Sequence, residues 1–257
     1  MSEPILSLRG VRRTFGGIAA VDGVTFDVYP REILAVIGPN GAGKTTLFNL
    51  ITGVLRMDEG EVLFKGHSLK GLPTHDVVAL GVTRTFQNVQ LFGNMTVLEN
   101  VMVGRHPRSR SGFLSAALRT SRARREEKLI FEKAMENLAL VGLQDKAREP
   151  ALSLPFGQQR LLAIARALAT EPQVLLLDEP GAGLNATETA GLAELIFNLR
   201  RIGITVMLVE HDMELVMGVA DRVIVLDYGV IIAEGPVALV QNDERVIGAY
   251  LGNGLDL

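Results

Sequence analysis

Gly38-Pro-Asn-Gly-Ala-Gly-Lys-Thr45 satisfies every fixed position of the phosphate-cradling pattern G-x-x-x-x-G-K-[ST]. Upstream, Ile33-Leu-Ala-Val-Ile37 is an unbroken apolar run that suits a buried strand. Downstream, Thr46-Leu-Phe-Asn-Leu-Ile-Thr52 suits a helix. Strand, loop and helix in that order are the context in which the pattern carries chemistry. Glycine lets the backbone wrap closely around an anion. The free amides of the helix N-terminus, reinforced by the helix dipole, then point at phosphate. The loop residues Gly38, Asn40, Gly41, Ala42 and Gly43, with Lys44, Thr45 and Thr46, are therefore candidate nucleotide ligands. Lys44 can reach the outer phosphates and the Thr45 hydroxyl can be offered to Mg²⁺. These residues imply a protein that binds a nucleoside triphosphate.

Val174-Leu-Leu-Leu-Asp178-Glu179-Pro180 supports that reading, being a second short apolar run that ends in two carboxylates. An unbroken apolar run suits a strand covered on both faces, as in a parallel sheet. Ligands of such sheets sit at the carboxyl ends of the strands, where Asp178 and Glu179 would lie. Asp178 is the candidate acid for holding Mg²⁺ through its water shell, a hard oxygen for a hard cation. Glu179 is then placed to act as general base on an attacking water.

The bulk composition narrows the class. A chain of 257 residues is long enough for a sizeable core. Its formal net charge of −3 creates no global basic field that would call for nucleic acid. Tryptophan is absent and aromatics make up 5%, which argues against base-stacking platforms. Without cysteine there are neither disulfides nor thiolate metal sites, which suits a cytoplasmic protein. The first residues lack the basic-then-apolar layout of a signal peptide. No apolar run approaches the roughly 18 residues of a membrane span. The expectation is a soluble chain that reaches a membrane only through a partner.

Strands are expected at 5–8, 24–28, 33–37, 61–64, 174–178 and 204–209, and at 222–226 and 230–233 around the turn Asp227-Tyr-Gly229. Helices are expected at 46–52, 74–80, 96–103, 121–141, 158–169, 187–201 and 212–220, with a further helical stretch at the end. Thr96 with Glu99 reads as a capping box, and Gly142 as a helix stop. Strands alternating with helices imply an α/β fold with a parallel core. Residues 88–160, mostly helical, read as an inserted subdomain, and no internal repeat is present. Residues 105–128 hold eight basic side chains against Glu126 and Glu127, a local charge of 8 − 2 = +6. Such a segment is either a docking surface for acidic groups or a solvated face.

Three further features resemble one family, the ATP-binding subunits of ABC transporters, over essentially the whole chain. Thr83-Arg-Thr-Phe-Gln87-Asn resembles the family's Q-loop, a helix-opening Gly157-Gln158 precedes the acidic strand, and Val209-Glu-His211-Asp resembles the switch-histidine segment. The resemblance implies that Gln87 touches Mg²⁺ and the attacking water and senses the membrane subunits, and that His211 contacts the γ-phosphate. It also implies that Phe15 stacks on adenine. The fold it implies is a P-loop NTPase core with an N-terminal antiparallel β subdomain and an inserted α-helical subdomain. The RecA-like core and β subdomain would span 1–87 and 161–257, and the helical subdomain 88–160. The runs from Arg84 through Val101, Leu154-Pro-Phe-Gly-Gln-Gln-Arg160 and Ala220-Asp-Arg-Val-Ile-Val-Leu-Asp-Tyr-Gly229 are similar to the LivG type, the ATPases of branched-chain amino-acid importers. Urea-import and lipopolysaccharide-export ATPases are similar as well.

The sequence departs from the family at two places. Pro155 and Phe156 replace the serine and first glycine of the usual Leu-Ser-Gly-Gly-Gln signature, and Asn185 stands where the family's D-loop usually has aspartate. In the family the signature closes on the ATP of a second subunit, so the site it completes should be weakened here, because Pro155 has neither hydroxyl nor amide hydrogen. The resemblance implies an ATP- and Mg²⁺-dependent engine of an importer at the cytoplasmic face of the inner membrane. Transmembrane permease subunits, a second ABC ATPase and, indirectly, a periplasmic binding protein would be its partners. A soluble ATPase acting on nucleic acid and a nucleotide-gated subunit with little turnover are the competing readings.

Overall fold

A computed structural model of the chain describes residues 3–85, 90–106 and 121–251. The chain divides into two compact units, Met1–Val77 with Gln173–Leu257, and Val78–Pro172.

The first unit is built on a sheet of strands β3 (Ile33–Ile37), β7 (Val174–Asp178), β8 (Thr205–Val209), β9 (Arg222–Asp227) and β10 (Val230–Gly235). Their order is β10-β9-β3-β8-β7, parallel except for β10, which folds back antiparallel on β9. The Ile33–Ile37, Val174–Asp178 and Thr205–Val209 strands are buried at every position, which is why their sequences run apolar without alternation. Helix α1 (Lys44–Ile51) follows β3 and buries Leu47, Phe48 and Ile51 completely. Each such side chain contributes roughly 1.5–3 kcal/mol on burial, so the loop before α1 is held at both ends.

A second, antiparallel sheet in this unit contains β1 (Leu6–Phe15), β2 (Ile18–Val28), β4 (Glu59–Phe64) and β5 (His67–Ser68), in the order β2-β1-β4-β5. Here the strands outrun the sequence expectation. The strand expected at 5–8 continues to Phe15, and the one expected at 24–28 begins at Ile18. Gly16 and Gly17, both at positive φ, turn the chain so that Phe15 pairs with Ile18. The polar stretch of residues 9–14 obscured this continuation, because part of that strand faces solvent. The pairing is also bulged between Leu8 and Val11, where Gly10 sits at φ 58°.

Helix α2 (Thr74–Leu80) leads into the second unit, which holds a short strand β6 (Val82–Arg84) that the sequence pattern did not reveal. Among the described residues its α-helices include α3 (Val97–Gly104), α4 (Ser121–Leu140) and α5 (Phe156–Leu168), packed on one another. Thr96 caps α3 with the reciprocal Glu99 bond that the sequence announced. Gly142, at φ 72°, stops α4. Arg105 is a correction to the basic segment as a surface. Its side chain is buried and pairs with Glu171 at 2.8 Å, so it holds the unit together internally. Residues 107–120 of that segment lie outside the described residues. Back in the first unit, α6 (Ala186–Arg201) and α7 (Met213–Val219) flank β8, and α8 (Val237–Val240) and α9 (Glu244–Leu251) follow β10. Among the described residues no helix is long and apolar enough to cross a membrane.

Candidate active site

Strand register assembles the site. Val36 of β3 pairs with Val209 of β8, and Val209 pairs with Asp178 of β7. The residues that follow each strand therefore emerge together at one carboxyl edge: Gly38 and its loop, Glu179, and His211. All belong to the first unit.

The phosphate loop is wedged between two backbones. Gly38 has φ 148°, and a Cβ there would stand 2.0 Å from the Leu226 carbonyl oxygen. Gly43 has φ 101°, and a Cβ there would stand 2.1 Å from the Ala20 carbonyl oxygen. Only glycine fits either position, by torsion and by space. Ala42 is fastened as well, its carbonyl accepting the Gly229 amide at 3.0 Å, while the Gly229 carbonyl accepts from Asp22 at 2.9 Å. Gly229 belongs to the Asp227-Tyr-Gly229 turn between β9 and β10, with Tyr228 and Gly229 both in the left-handed region. Ala20 and this turn are parts of the cradle that no motif identifies, because they come from distant strands.

Lys44 is buried, and its ammonium donates to the carbonyls of Gly38 at 2.7 Å and Pro39 at 2.8 Å. Burial pushes it below the ordinary lysine value, and the Glu179 and Asp178 carboxylates pull it part of the way back. Asp178 is almost wholly buried, whereas Thr45 and Asn40 are exposed and Thr46 is half-buried. Glu179 Oε1 lies 2.7 Å from His211 Nε2, with the histidine side chain 44% exposed and the glutamate 14%. Glu179 sits at φ 47°, a conformation that costs a non-glycine residue of order 1–3 kcal/mol and persists only where neighbours enforce it. Its amide is held by the Val209 carbonyl at 2.9 Å.

Phe15 stands at the tip of the β1–β2 hairpin and is 44% exposed, whereas its aromatic character, read without the family resemblance, would place it in the core. Arg13 lies over its ring at 4.8 Å and is anchored by Asp58 at 2.7 Å. Gln87 lies outside the described residues. In the second unit, Pro155 is the N-cap of α5 and makes no side-chain cap bond. Phe156 is exposed beneath the Arg160 guanidinium, Gly157 is buried, and the Gln158 side-chain Oε1 accepts from the Lys146 ammonium at 2.8 Å. Asn185 is the N-cap of α6, accepting from Glu188, whose carboxylate returns the bond to the Asn185 amide. Asparagine caps as well as aspartate, so this departure leaves the helix start intact.

The donor set fits a small hard cation bound mainly to phosphate. Asp178 offers a carboxylate and Thr45 a hydroxyl, and among the described residues no group of three or more His, Cys, Asp or Glu could hold a metal by itself. Mg²⁺ binds through few protein oxygens and keeps substrate phosphates and water for the rest.

The model of a family described as ABC transporter matches residues 21–182. The chain belongs to the ABC transporter family. A second model, described as branched-chain amino acid ATP-binding cassette transporter, matches residues 230–256. The chain is 45% identical over 253 residues to the high-affinity branched-chain amino acid transport ATP-binding protein LivG of Escherichia coli (strain K12), covering 98% of this chain and 99% of that protein. Its fold resembles the ADP conformation of MJ1267, an ATP-binding cassette of an ABC transporter. The TM-score is 0.86 at 33% identity, covering 98% of this chain and 100% of that one. It also resembles the dimeric MJ0796 cassette, with a TM-score of 0.77 at 26% identity, covering 90% and 98%. The chain thus carries the cassette of a transport ATPase from end to end.

Proposed function

We propose that this chain is the ATP-hydrolysing subunit of an importer for branched-chain or other hydrophobic amino acids. The observation that carries the catalytic part is the convergence of the Lys44 loop, Asp178 and the Glu179–His211 pair on one strand edge. The amino-acid assignment rests on similarity to LivG and on the C-terminal model match, which favour it over urea import or lipopolysaccharide export. The subunit would act at the cytoplasmic face of the membrane, against transmembrane permease subunits and paired with a second cassette. A periplasmic binding protein would deliver the substrate.

In this reading Gly38, Asn40, Gly41, Ala42, Gly43 and Thr46 cradle the phosphates of ATP with backbone and side-chain donors, and Phe15 offers its exposed ring to adenine. Lys44 exchanges its two loop carbonyls for β- and γ-phosphate oxygens and neutralises charge that develops during transfer. Thr45 and Asp178, joined by Gln87, would hold Mg²⁺, which supplies further charge neutralisation and in-line alignment when bound. Glu179 takes a proton from the attacking water, and His211, 2.7 Å away, holds the same water or the transferring group in line. Gly157 and Gln158, at the start of α5, would close on the nucleotide of the partner cassette, with Pro155 and Phe156 giving that closure fewer hydrogen bonds than serine would.

MgATP hydrolysis by the full chain, alone and with its co-purified partners, tests the proposal, using Glu179→Gln as the blank. Turnover that appears or rises with the partners present is expected. Turnover equal to the blank in both states overturns the ATPase reading and leaves a nucleotide-gated subunit.

A further inference from the structure

Beyond the Lys44, Asp178, Glu179 and His211 constellation, one buried acid stands directly behind the reacting groups. Glu210 is 2% exposed and lies just before His211. Its Oε1 accepts the Gly181 amide at 2.5 Å, and its Oε2 accepts the His211 amide at 3.0 Å, with the Asp212 amide also directed at the carboxylate. One side chain thus ties the turn after Glu179 to the turn that carries His211. Strands β7 and β8 end at Asp178 and Val209, so the backbone ladder between them stops one residue short of the chemistry. The Glu179 amide makes the last ladder bond, to Val209, and Glu210 extends the tie two residues further with its carboxylate.

Two observations make this tie more than ordinary satisfaction of a buried group. First, Glu179 is held at φ 47°, a strained torsion that relaxes unless the residues on either side are fixed. Its amide is fixed on one side by Val209, and the chain two residues beyond is fixed by Glu210. Second, the junction has no spare room. A Cβ on Gly181 would stand 2.9 Å from Glu210 Oε1 and 3.1 Å from Leu215 Cδ2, so the carboxylate meets bare backbone there.

We infer that Glu210 is a positioning residue for hydrolysis: its carboxylate locks Glu179 in its strained torsion and sets His211 at hydrogen-bond distance from it. Glu210 touches neither phosphate nor water in this scheme, and its effect passes entirely through Glu179 and His211. The inference rests on the ATPase reading for its catalytic consequence, but its geometric part stands independently.

The test is Glu210→Gln, which keeps size and one accepting oxygen but cannot accept both amides. In the partner-bound complex, kcat should fall at least tenfold while KM for MgATP stays within about twofold and the Tm of the full chain changes little. The conservative Glu210→Asp should recover less than half of the lost rate, because its carboxylate is one methylene short of Gly181. Gly181→Ala probes the same junction from the other side and should also lower kcat while sparing KM. Independently of turnover, the imidazole NMR signals of the nucleotide-free chain report the geometry, since His211 is one of four histidines with His67, His75 and His106. Only the His211 signals should move in Glu210→Gln. A folded Glu210→Gln with wild-type kcat and an unmoved His211 spectrum overturns the inference, as does a loss of kcat that merely tracks a fall in Tm. A wild-type complex with no turnover above the Glu179→Gln blank refutes the ATPase reading alone, and the His211 signals then decide the geometric part.

Discussion

Replacing Pro155 by serine separates what the altered signature does to folding from what it does to nucleotide closure. In the structure Pro155 occupies the N-cap of α5 at φ −53° and ψ 152°, a torsion that serine adopts freely, and no side chain caps the helix. A serine hydroxyl there would accept from the Gln158 amide, a bond worth about 0.5–2 kcal/mol. Losing the proline ring frees the unfolded chain by about 0.4–1 kcal/mol. The difference lies between about −0.5 and +1.6 kcal/mol. At about 2–4 °C per kcal/mol for a chain of this size, Tm should move by between about −2 and +6 °C. The same hydroxyl can donate its hydrogen to a phosphate of the partner's nucleotide. A hydrogen bond to a charged group contributes about 1.5–3 kcal/mol, or about 10- to 140-fold in affinity. The assay is the MgATP dependence of hydrolysis by the assembled complex. The half-saturating concentration should fall by that factor, with Tm inside the stated window. Unchanged half-saturation in a normally folded variant refutes the reasoning, since position 155 would then not approach a nucleotide at all.

Three further outcomes follow from the geometry. Gly43→Ala should abolish MgATP binding measured by calorimetry, because its Cβ would stand 2.1 Å from the Ala20 carbonyl oxygen at φ 101°, whereas Gly41→Ala meets open space and should weaken binding less. Asn185→Ala breaks the reciprocal cap with Glu188 and should lower stability by about 1 kcal/mol, or Tm by about 2–4 °C. Asn185→Asp should leave Tm unchanged. Burial raises the Glu210 carboxyl above its ordinary value, offset in part by the Gly181, His211 and Asp212 amides, with the Asp212 charge adding to the rise. A group whose folded value is raised stabilises the fold below its unfolded value and loses that contribution as pH rises through the folded value. The Tm of wild type should therefore decline more steeply than that of Glu210→Gln as pH rises from about 4.5, and parallel Tm–pH curves would contradict the assignment.

The candidate phosphate loop was legible because its pattern is local. The phosphate loop needs glycines, lysine and threonine at fixed spacing beside a strand and a helix, and all of these lie within twenty residues. The five-residue apolar strands announced burial on both faces, and Thr96 with Glu99 announced a helix start that the structure reproduces. The polar half of the first hairpin was not legible, since solvent-facing strand residues carry no apolar period, and Phe15 was therefore readable as core until the turn at Gly16 and Gly17 placed it at a tip. Asn185 reads in the sequence as a lost aspartate and in the structure as a complete helix cap.

The sequence by itself determined which residues are candidates for binding and hydrolysing ATP, because side-chain chemistry and short spacing suffice to name them. How they meet was decided by tertiary structure alone. Register across β3, β8 and β7 brings residues 38, 179 and 211 to one edge, although residue 38 lies more than a hundred positions before the other two. Ala20 and Gly229 close on the phosphate loop, and Glu210 joins the turns that carry Glu179 and His211. Such contacts depend on backbone approach and buried hydrogen bonds between distant strands, and no local pattern of residues encodes them.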